Sequence, residues 1–182
     1  SFQTIILSRN YLNNKAVKFK DNNDLDEDNL IFNYKSEEIE NKFRFEHTFR
    51  NNGYKLNTGI SYENVTYANE TFNKINFNDD IILIDFKSRL NFNKFGAFAQ
   101  LSKSLLSSRL ILSGGIRTDF CDYSETMLNP LNQLSPRISA SFSITEKLSF
   151  NSNIGRYLQP PAYTAMGYRE SNALVNKNNL SY

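Results

Sequence analysis

Tryptophan is absent from this chain, and cysteine and histidine occur once each, as Cys121 and His47. A lone cysteine excludes an internal disulfide and leaves the compartment unmarked. One His and one Cys far apart in sequence offer no metal-ligand spacing. No nucleophile elbow, phosphate loop or His-Glu-x-x-His pattern occurs either, so no motif with a catalytic mechanism stands out and no enzyme, cofactor or metal role is expected. No apolar run reaches the roughly 18 residues that a membrane-spanning helix needs. That absence leaves barrels open, because a strand crosses a bilayer in about 9–11 residues. Charge of one sign is also missing, with 21 Lys and Arg against 19 Asp and Glu. A nucleic-acid partner, which would call for a basic patch or stripe, is therefore not expected. The opening residues SFQTIILSRN show no charged n-region or small-residue cleavage site, as expected of a mature chain or a fragment.

What the chain has is aromatics and alternation. Aromatic residues make up 14% of the sequence, with Phe 15 and Tyr 10, yet hydrophobic residues reach only 40%. Together with a mean hydropathy of -0.52, this suits apolar residues confined to an outer band better than a dense soluble core. The organising stretch is Leu134–Leu158. Pro136, Ile138, Ala140, Phe142 and Ile144 alternate with Ser135, Arg137, Ser139, Ser141 and Ser143. A period of two residues is a strand with one apolar and one wet face. Thr145-Glu146-Lys147 makes a turn, and Leu148, Phe150 and Ile154 resume the apolar row opposite Ser149, Asn151 and Asn153.

The pattern repeats along the chain. Phe2–Leu12 reads as a strand and Asn13–Asn29 as a polar loop, whose acidic run Asp21–Asp28 lacks the glycine and terminal glutamate of a calcium loop. Both a solvated loop and a cation site stay open there. Leu30–Arg50 is extended, with Phe43, Phe45, His47 and Phe49 opposite Glu40, Lys42, Arg44, Glu46, Thr48 and Arg50. Asn51-Asn52-Gly53 signals a tight turn. Tyr54, Leu56, Thr58, Ile60 and Tyr62 then form a row with tyrosine at each end, as two interfacial girdles would produce. Glu63–Asp80 reads as a long loop, and Ile81–Phe92 as either a strand or a hairpin within a loop. Strands follow at Phe95–Leu105 and Arg109–Phe120, with a short turn at Leu106–Ser108 between them and a loop at Cys121–Gln133 after them. Arg156 falls on the apolar parity of its strand, which points to a bulge or a position above the membrane. Gln159–Tyr182 is loop-like.

Connections after Arg50, Leu105 and Ile144 are short, whereas those after Leu12, Tyr62, Phe120 and Leu158 are long. Sorting short turns to one side and long loops to the other is the asymmetry of outer-membrane barrels, and a soluble meander has no reason to show it. The expected fold is therefore all-β: an antiparallel up-and-down transmembrane β-barrel, partial, with about seven or eight strands of a larger one. Two alternatives stay open. One is a complete eight-stranded structural or adhesive barrel, and the other a secreted all-β carbohydrate-binding module of lectin-like sandwich form.

Three runs carry a family resemblance: FGAFAQLSKSLLSSRLILSGGIRTD (Phe95–Asp119), NPLNQLSPRISASFSI (Asn129–Ile144) and GRYLQPPAYTAMGY (Gly155–Tyr168). Their order and spacing resemble the barrel of a TonB-dependent outer-membrane receptor, in the form common in Bacteroidetes-type bacteria. Gly115-Ile116-Arg117-Thr118-Asp119 and Leu134-Ser135-Pro136-Arg137 match well, LVNKNNLSY (Leu174–Tyr182) resembles the lead into a following strand, and Tyr34–Phe49 fits an earlier strand more loosely. The resemblance implies one barrel domain over residues 1–182, with plug and closing strands absent, where a complete member has about twenty-two strands. It implies a location in the bacterial outer membrane, contact with its lipid, energy from the TonB complex through the plug, and an imported substrate of unknown class. Candidate lumen or vestibule contacts are Arg117, Arg137, Tyr157 and Gln159, the last two framed by the Pro160-Pro161 bend. The competing reading has these residues pairing with Asp119 or with glutamates of adjacent strands, so that they hold the barrel wall.

Overall fold

The computed structural model describes residues 1–77, 80–170 and 173–174. Seven strands form one antiparallel sheet in sequence order: β1 (Phe2–Phe19), β2 (Leu30–Asn51), β3 (Tyr54–Phe77), β4 (Asp80–Leu105), β5 (Leu110–Cys121), β6 (Leu134–Thr145) and β7 (Leu148–Gly155). β1 and β7 are the edges, so the sheet is not closed on itself. This is the partial barrel that the alternation implies, and among the described residues no second sheet packs on its apolar face as a sandwich would require. A separate two-stranded ladder pairs Arg169–Glu170 with Ala173–Leu174. Two one-turn helices, α1 (Glu125–Leu128) and α2 (Tyr163–Met166), lie in the connections after β5 and β7. No described helix is long and apolar enough to cross a membrane, which bears on helices alone.

The tight turns sit where the sequence signals them. Asn52 and Gly53 adopt positive φ of 46° and 76°, the conformation that Asn-Gly tolerates in a two-residue hairpin. Leu106, Ser107 and Ser108 turn β4 into β5, also at positive φ. The three short turns step progressively along the ladder: Tyr54 opposes Lys103, Leu105 opposes Leu110, and Thr145 opposes Leu148, well beyond the Leu110–Phe142 pair. Such a stagger accompanies strands tilted relative to a barrel axis.

Strand lengths exceed the sequence expectation at two places. The expected loop Asn13–Asn29 is strand as far as Phe19, paired with β2 up to Leu30. The expected loop Glu63–Asp80 is strand as far as Phe77, and Ile81–Phe92 is the half of β4 that pairs with it, from Phe77↔Asp80 down to Val65↔Phe92. Residues 78–79 lie outside the described residues. Cross-strand hydrogen bonding holds these polar stretches extended without an apolar face in the expected phase. In the other direction, β7 ends at Gly155. Arg156 therefore lies past the strand, where its backbone N–H donates to Pro136 O at 3.0 Å. Of the Gln159–Tyr182 tail, residues 171–172 and 175–182, and with them most of the expected lead into another strand, lie outside the described residues.

The register assigns each side chain a face. On one face lie Phe43, Phe45, His47 and Phe49 of β2, the Tyr54–Tyr62 row of β3, Phe95, Ala97, Ala99 and Leu101 of β4, and Leu112, Ile116 and Phe120 of β5. Pro136, Ile138, Ala140 and Phe142 of β6 and Phe150 and Ile154 of β7 continue it. Ile138 is 66% exposed and Ile154 74%, an apolar surface that in water would be costly and in lipid is not. Phe43, Tyr62, Phe95 and Phe120 share one rung, and ring centroids lie 5.4 Å apart both for Tyr62–Phe95 and for Phe95–Phe120. From Tyr54 to Tyr62 the row covers roughly 26 Å along a tilted strand, close to the length of about 9–11 residues with which a barrel strand crosses a bilayer.

Candidate functional site: the inner face

The opposite face is mainly polar through the band, interrupted by Ile6 of β1, Phe98 of β4 and Ile111 of β5: Lys42, Arg44, Glu46 and Thr48 of β2, Asn57, Ser61 and Glu63 of β3, Lys94 and Gln100 of β4, Arg117 and Asp119 of β5, Ser135, Arg137, Ser139 and Ser141 of β6, and Asn151 and Asn153 of β7. Two groupings stand on this face.

The first lies just beyond the aromatic rung, toward the long connections. Glu63 opposes Lys94 directly, and Lys94 Nζ is 3.5 Å from Glu63 Oε2 and 3.6 Å from Glu40 Oε1. Lys42 Nζ lies 2.6 Å from Glu40 Oε2. Onto this quartet comes Tyr163 of α2, whose hydroxyl accepts from Lys94 and donates to Glu40. Burial and the adjacent Glu40 carboxylate push that hydroxyl's pKa up, so it stays protonated and keeps its donor role. The Tyr163 ring packs against Tyr67 and Phe92 at 5.9 and 5.6 Å. Val65, Tyr67, Leu90, Phe92, Cys121, Tyr123, Met127 and Met166 form one buried cluster around it. Tyr123 donates its hydroxyl to Met166 O at 2.7 Å, and Gln133 Nε2 donates to Thr126 O at 3.2 Å. The connections after β5 and β7 are thus folded inward over β3 and β4 rather than splayed into solvent.

The second grouping is a cleft of about 470 Å³ on the β4–β7 side of the inner face, and Arg44, Phe98, Arg117, Arg137 and Tyr157 contribute to its lining. The sequence candidates divide here. Arg117 makes a two-point ion pair with Asp119, with Nη2 to Oδ1 at 2.6 Å, the partner named by the wall-holding reading. Arg44 pairs with Glu46 and sits 5.9 Å from the Phe98 centroid. Arg137 carries its guanidinium 4.6 Å from the Tyr157 ring centroid. Gln159 is exposed and does not line the cleft, so the structure brings three of the four candidates together and leaves the fourth outside.

Tyr163, Glu40 and Lys94 were not legible as a group. The polar parity of β2 marks Glu40, but nothing in the sequence links it to a tyrosine 123 residues away. The acidic run Asp21–Asp28 satisfies its own backbone: Asn23 and Asp26 accept from Leu25 N and Asp28 N. Among the described residues no cluster of three or more His, Cys, Asp or Glu could hold a metal ion. His47 takes the outer face among phenylalanines, opposite Gln3 and Thr58.

The chain matches the family model described as TonB dependent receptor-like, beta-barrel, over residues 2–181. No curated protein and no solved structure matches it. With the match spanning nearly the whole chain, and with an apolar outer band, a polar inner face and an unclosed antiparallel sheet, the chain belongs to the TonB-dependent receptor β-barrel family, a family of outer-membrane receptors and transporters.

Proposed function

We propose that this chain builds part of the barrel wall and the extracellular loops of a bacterial outer-membrane importer that takes up its substrate with energy delivered by TonB. The observation that carries the reading is the division of the sheet into two faces. Lipid covers the apolar row, while the charged and hydroxyl-bearing row faces a wet lumen. A plug domain and further strands complete that lumen in the parent receptor, and the TonB complex acts through the plug. The inward-folded connections after β5 and β7 narrow the lumen at its extracellular mouth. Substrate entering there meets the cleft of Arg117, Arg137 and Tyr157, while Gln159 and the Pro160-Pro161 bend follow Tyr157 in the chain outside the cleft lining. A tyrosine beside a rigid bend offers a stacking surface whose ordering costs little entropy.

The test compares Tyr157→Ala and Gln159→Ala in the receptor that carries this chain, measuring substrate uptake and heat stability side by side. Uptake reduced at unchanged stability supports the vestibule. Reduced stability, or uptake unaffected by both changes, leaves these residues as wall elements.

A further inference from the structure

We propose that Arg137 is the anion-recognising group of this cleft, taking a carboxylate or phosphate of the substrate while the Tyr157 ring stacks on an adjoining planar part. The inference rests on the vestibule reading and adds a substrate class to it. Three arginines line the cleft, and two are already neutralised: Arg44 by Glu46 and Arg117 by Asp119. Among the described residues Arg137 has no carboxylate partner and donates no hydrogen bond, and its one specific contact is the Tyr157 ring. Stacking occupies the face of a guanidinium and leaves its in-plane N–H donors free, in the fork that matches an oxyanion two-pointedly.

The backbone around Arg137 is shaped for this pose. On its rung Arg137 is flanked by Gly115 of β5 and Gly155 of β7. A Cβ at Gly155 would lie 2.9 Å from Arg137 Cγ and 3.0 Å from Pro136 O, so a side chain there would displace the arginine stem. The adjoining rung carries only Ser113, Ser139 and Asn153, which leaves room above the guanidinium. Tyr157 is 61% exposed, so part of its ring is open to a ligand. Gly155 leaves room for the arginine stem, and a guanidinium held against the Tyr157 ring loses little freedom when it binds.

The experiment titrates the detergent-solubilised receptor with phenyl phosphate, benzoate and the neutral benzamide, with wild type, Arg137→Met, Arg137→Lys and Gly155→Ala compared. Expected is a preference of about tenfold or more for the two anions over benzamide, removed by Arg137→Met and reduced by Gly155→Ala, which displaces the guanidinium while keeping its charge. Arg137→Lys retains the charge but loses the fork and the stacking, and is expected to fall between. Should Arg137→Met not fold, Arg137→Lys and Gly155→Ala decide. No anion preference in wild type overturns the proposal, as does a preference that survives Arg137→Met or, where that variant is unfolded, survives both others unchanged. Failure of the vestibule is a different outcome: anion binding dependent on Arg137, with uptake indifferent to Tyr157 and Gln159, keeps the anion site and removes its role in transport. Uptake that needs Tyr157 while anions and benzamide bind alike keeps the vestibule and removes the anion site.

Discussion

The sheet has two halves, and they wear their apolar residues on opposite faces. Below the Tyr62–Phe95 rung, β3 presents Leu56, Ile60 and Tyr62 outward and Asn57, Gly59 and Ser61 inward. Above it, the same strand presents Asn64 and Thr66 outward and buries Val65 and Tyr67 inward. β4 does the same, with Ala97, Ala99 and Leu101 outward below and Leu90 and Phe92 inward above. The ladder between them runs without interruption from Tyr54↔Lys103 to Phe77↔Asp80. Outside the rung the outward residues pair with one another as polar groups: Tyr62 and Asn64 donate to Asn93 Oδ1 at 2.8 and 3.1 Å, and Thr66 donates to Asn91 Oδ1 at 2.9 Å. One ladder therefore serves two solvents. Where lipid lies outside, apolar groups face out; where water lies outside, they turn in against the folded connections.

The largest effect expected from breaking this arrangement is a charge placed in the lipid half. Phe142 is the fourth of the five residues in β6's outward row, which runs from Pro136 to Ile144. Phe142→Arg should cost between about 1 and 4 kcal/mol in a bilayer, the upper value applying at the midplane. Ser141→Arg, on the inner face one residue away, and Thr66→Arg, outward but beyond the aromatic rung, should each cost under about 1 kcal/mol. Unfolding titrations of the three variants in lipid vesicles measure this. Equal losses for Phe142→Arg and Thr66→Arg would show that the aromatic rung is not the membrane boundary.

A smaller effect is expected at the inward-folded connection. Tyr163→Phe removes the hydroxyl between Lys94 and Glu40 and leaves that buried carboxylate one donor short, at a cost of about 1–3 kcal/mol to docking of the segment. Docking also has a pH sign. The hydroxyl's pKa is raised when docked, so the stabilisation is fully present below the ordinary tyrosine value of about 10 and fades as pH climbs through the higher docked value. Amide exchange of residues 162–167 should quicken in Tyr163→Phe at neutral pH, while on the alkaline side wild type should quicken beyond the intrinsic rise only in strong alkali. Unchanged protection in the variant would mean that Met166 and the rings hold the segment without the hydroxyl.

The inversion also explains which parts of the fold were legible in the sequence. Alternation located β6, β7 and the lipid-facing halves of β2 to β5, because one phase holds along each. Between Tyr62 and Val65 the phase slips by one residue, from even positions to odd, and on β4 it slips between Phe92 and Phe95. A phase slip looks like the end of a strand, so Glu63–Asp80 reads as loop although its ladder is intact. Asn-Gly chemistry fixed one turn, and the order and spacing of the runs Phe95–Asp119, Asn129–Ile144 and Gly155–Tyr168 pointed to the family that the match over residues 2–181 shows. The cleft was legible in part, since parity places Arg117 and Arg137 on one face. The contact of Arg137 with Tyr157 depends on where β7 ends, which alternation did not show. Tyr163 reaches Glu40 only through the return of a whole connection, a long-range event with no local pattern.

The smallest effect separates two ion pairs on the same two strands. Glu70 and Lys87 face each other across β3 and β4 at 3.3 Å, with side chains 56% and 74% accessible. Glu63 and Lys94 do the same at 3.5 Å, with side chains 26% and 18% accessible, beneath Tyr163. Pair geometry is nearly identical, so any difference in coupling measures surroundings alone. The outer pair is screened by water and salt, and its long side chains lose freedom on pairing. Its coupling in a double-mutant cycle with Glu70→Gln and Lys87→Met should be below about 0.5 kcal/mol and vanish at high salt. The inner pair shares its charges with Glu40 and Lys42 in a lower-dielectric setting, and truncating one member leaves the others imperfectly matched. Its cycle with Glu63→Gln and Lys94→Met should give about 1 kcal/mol or more and resist salt. Equal couplings with equal salt dependence would mean that water reaches the quartet as freely as it reaches the outer hairpin, and that the folded-in connection does not seal it.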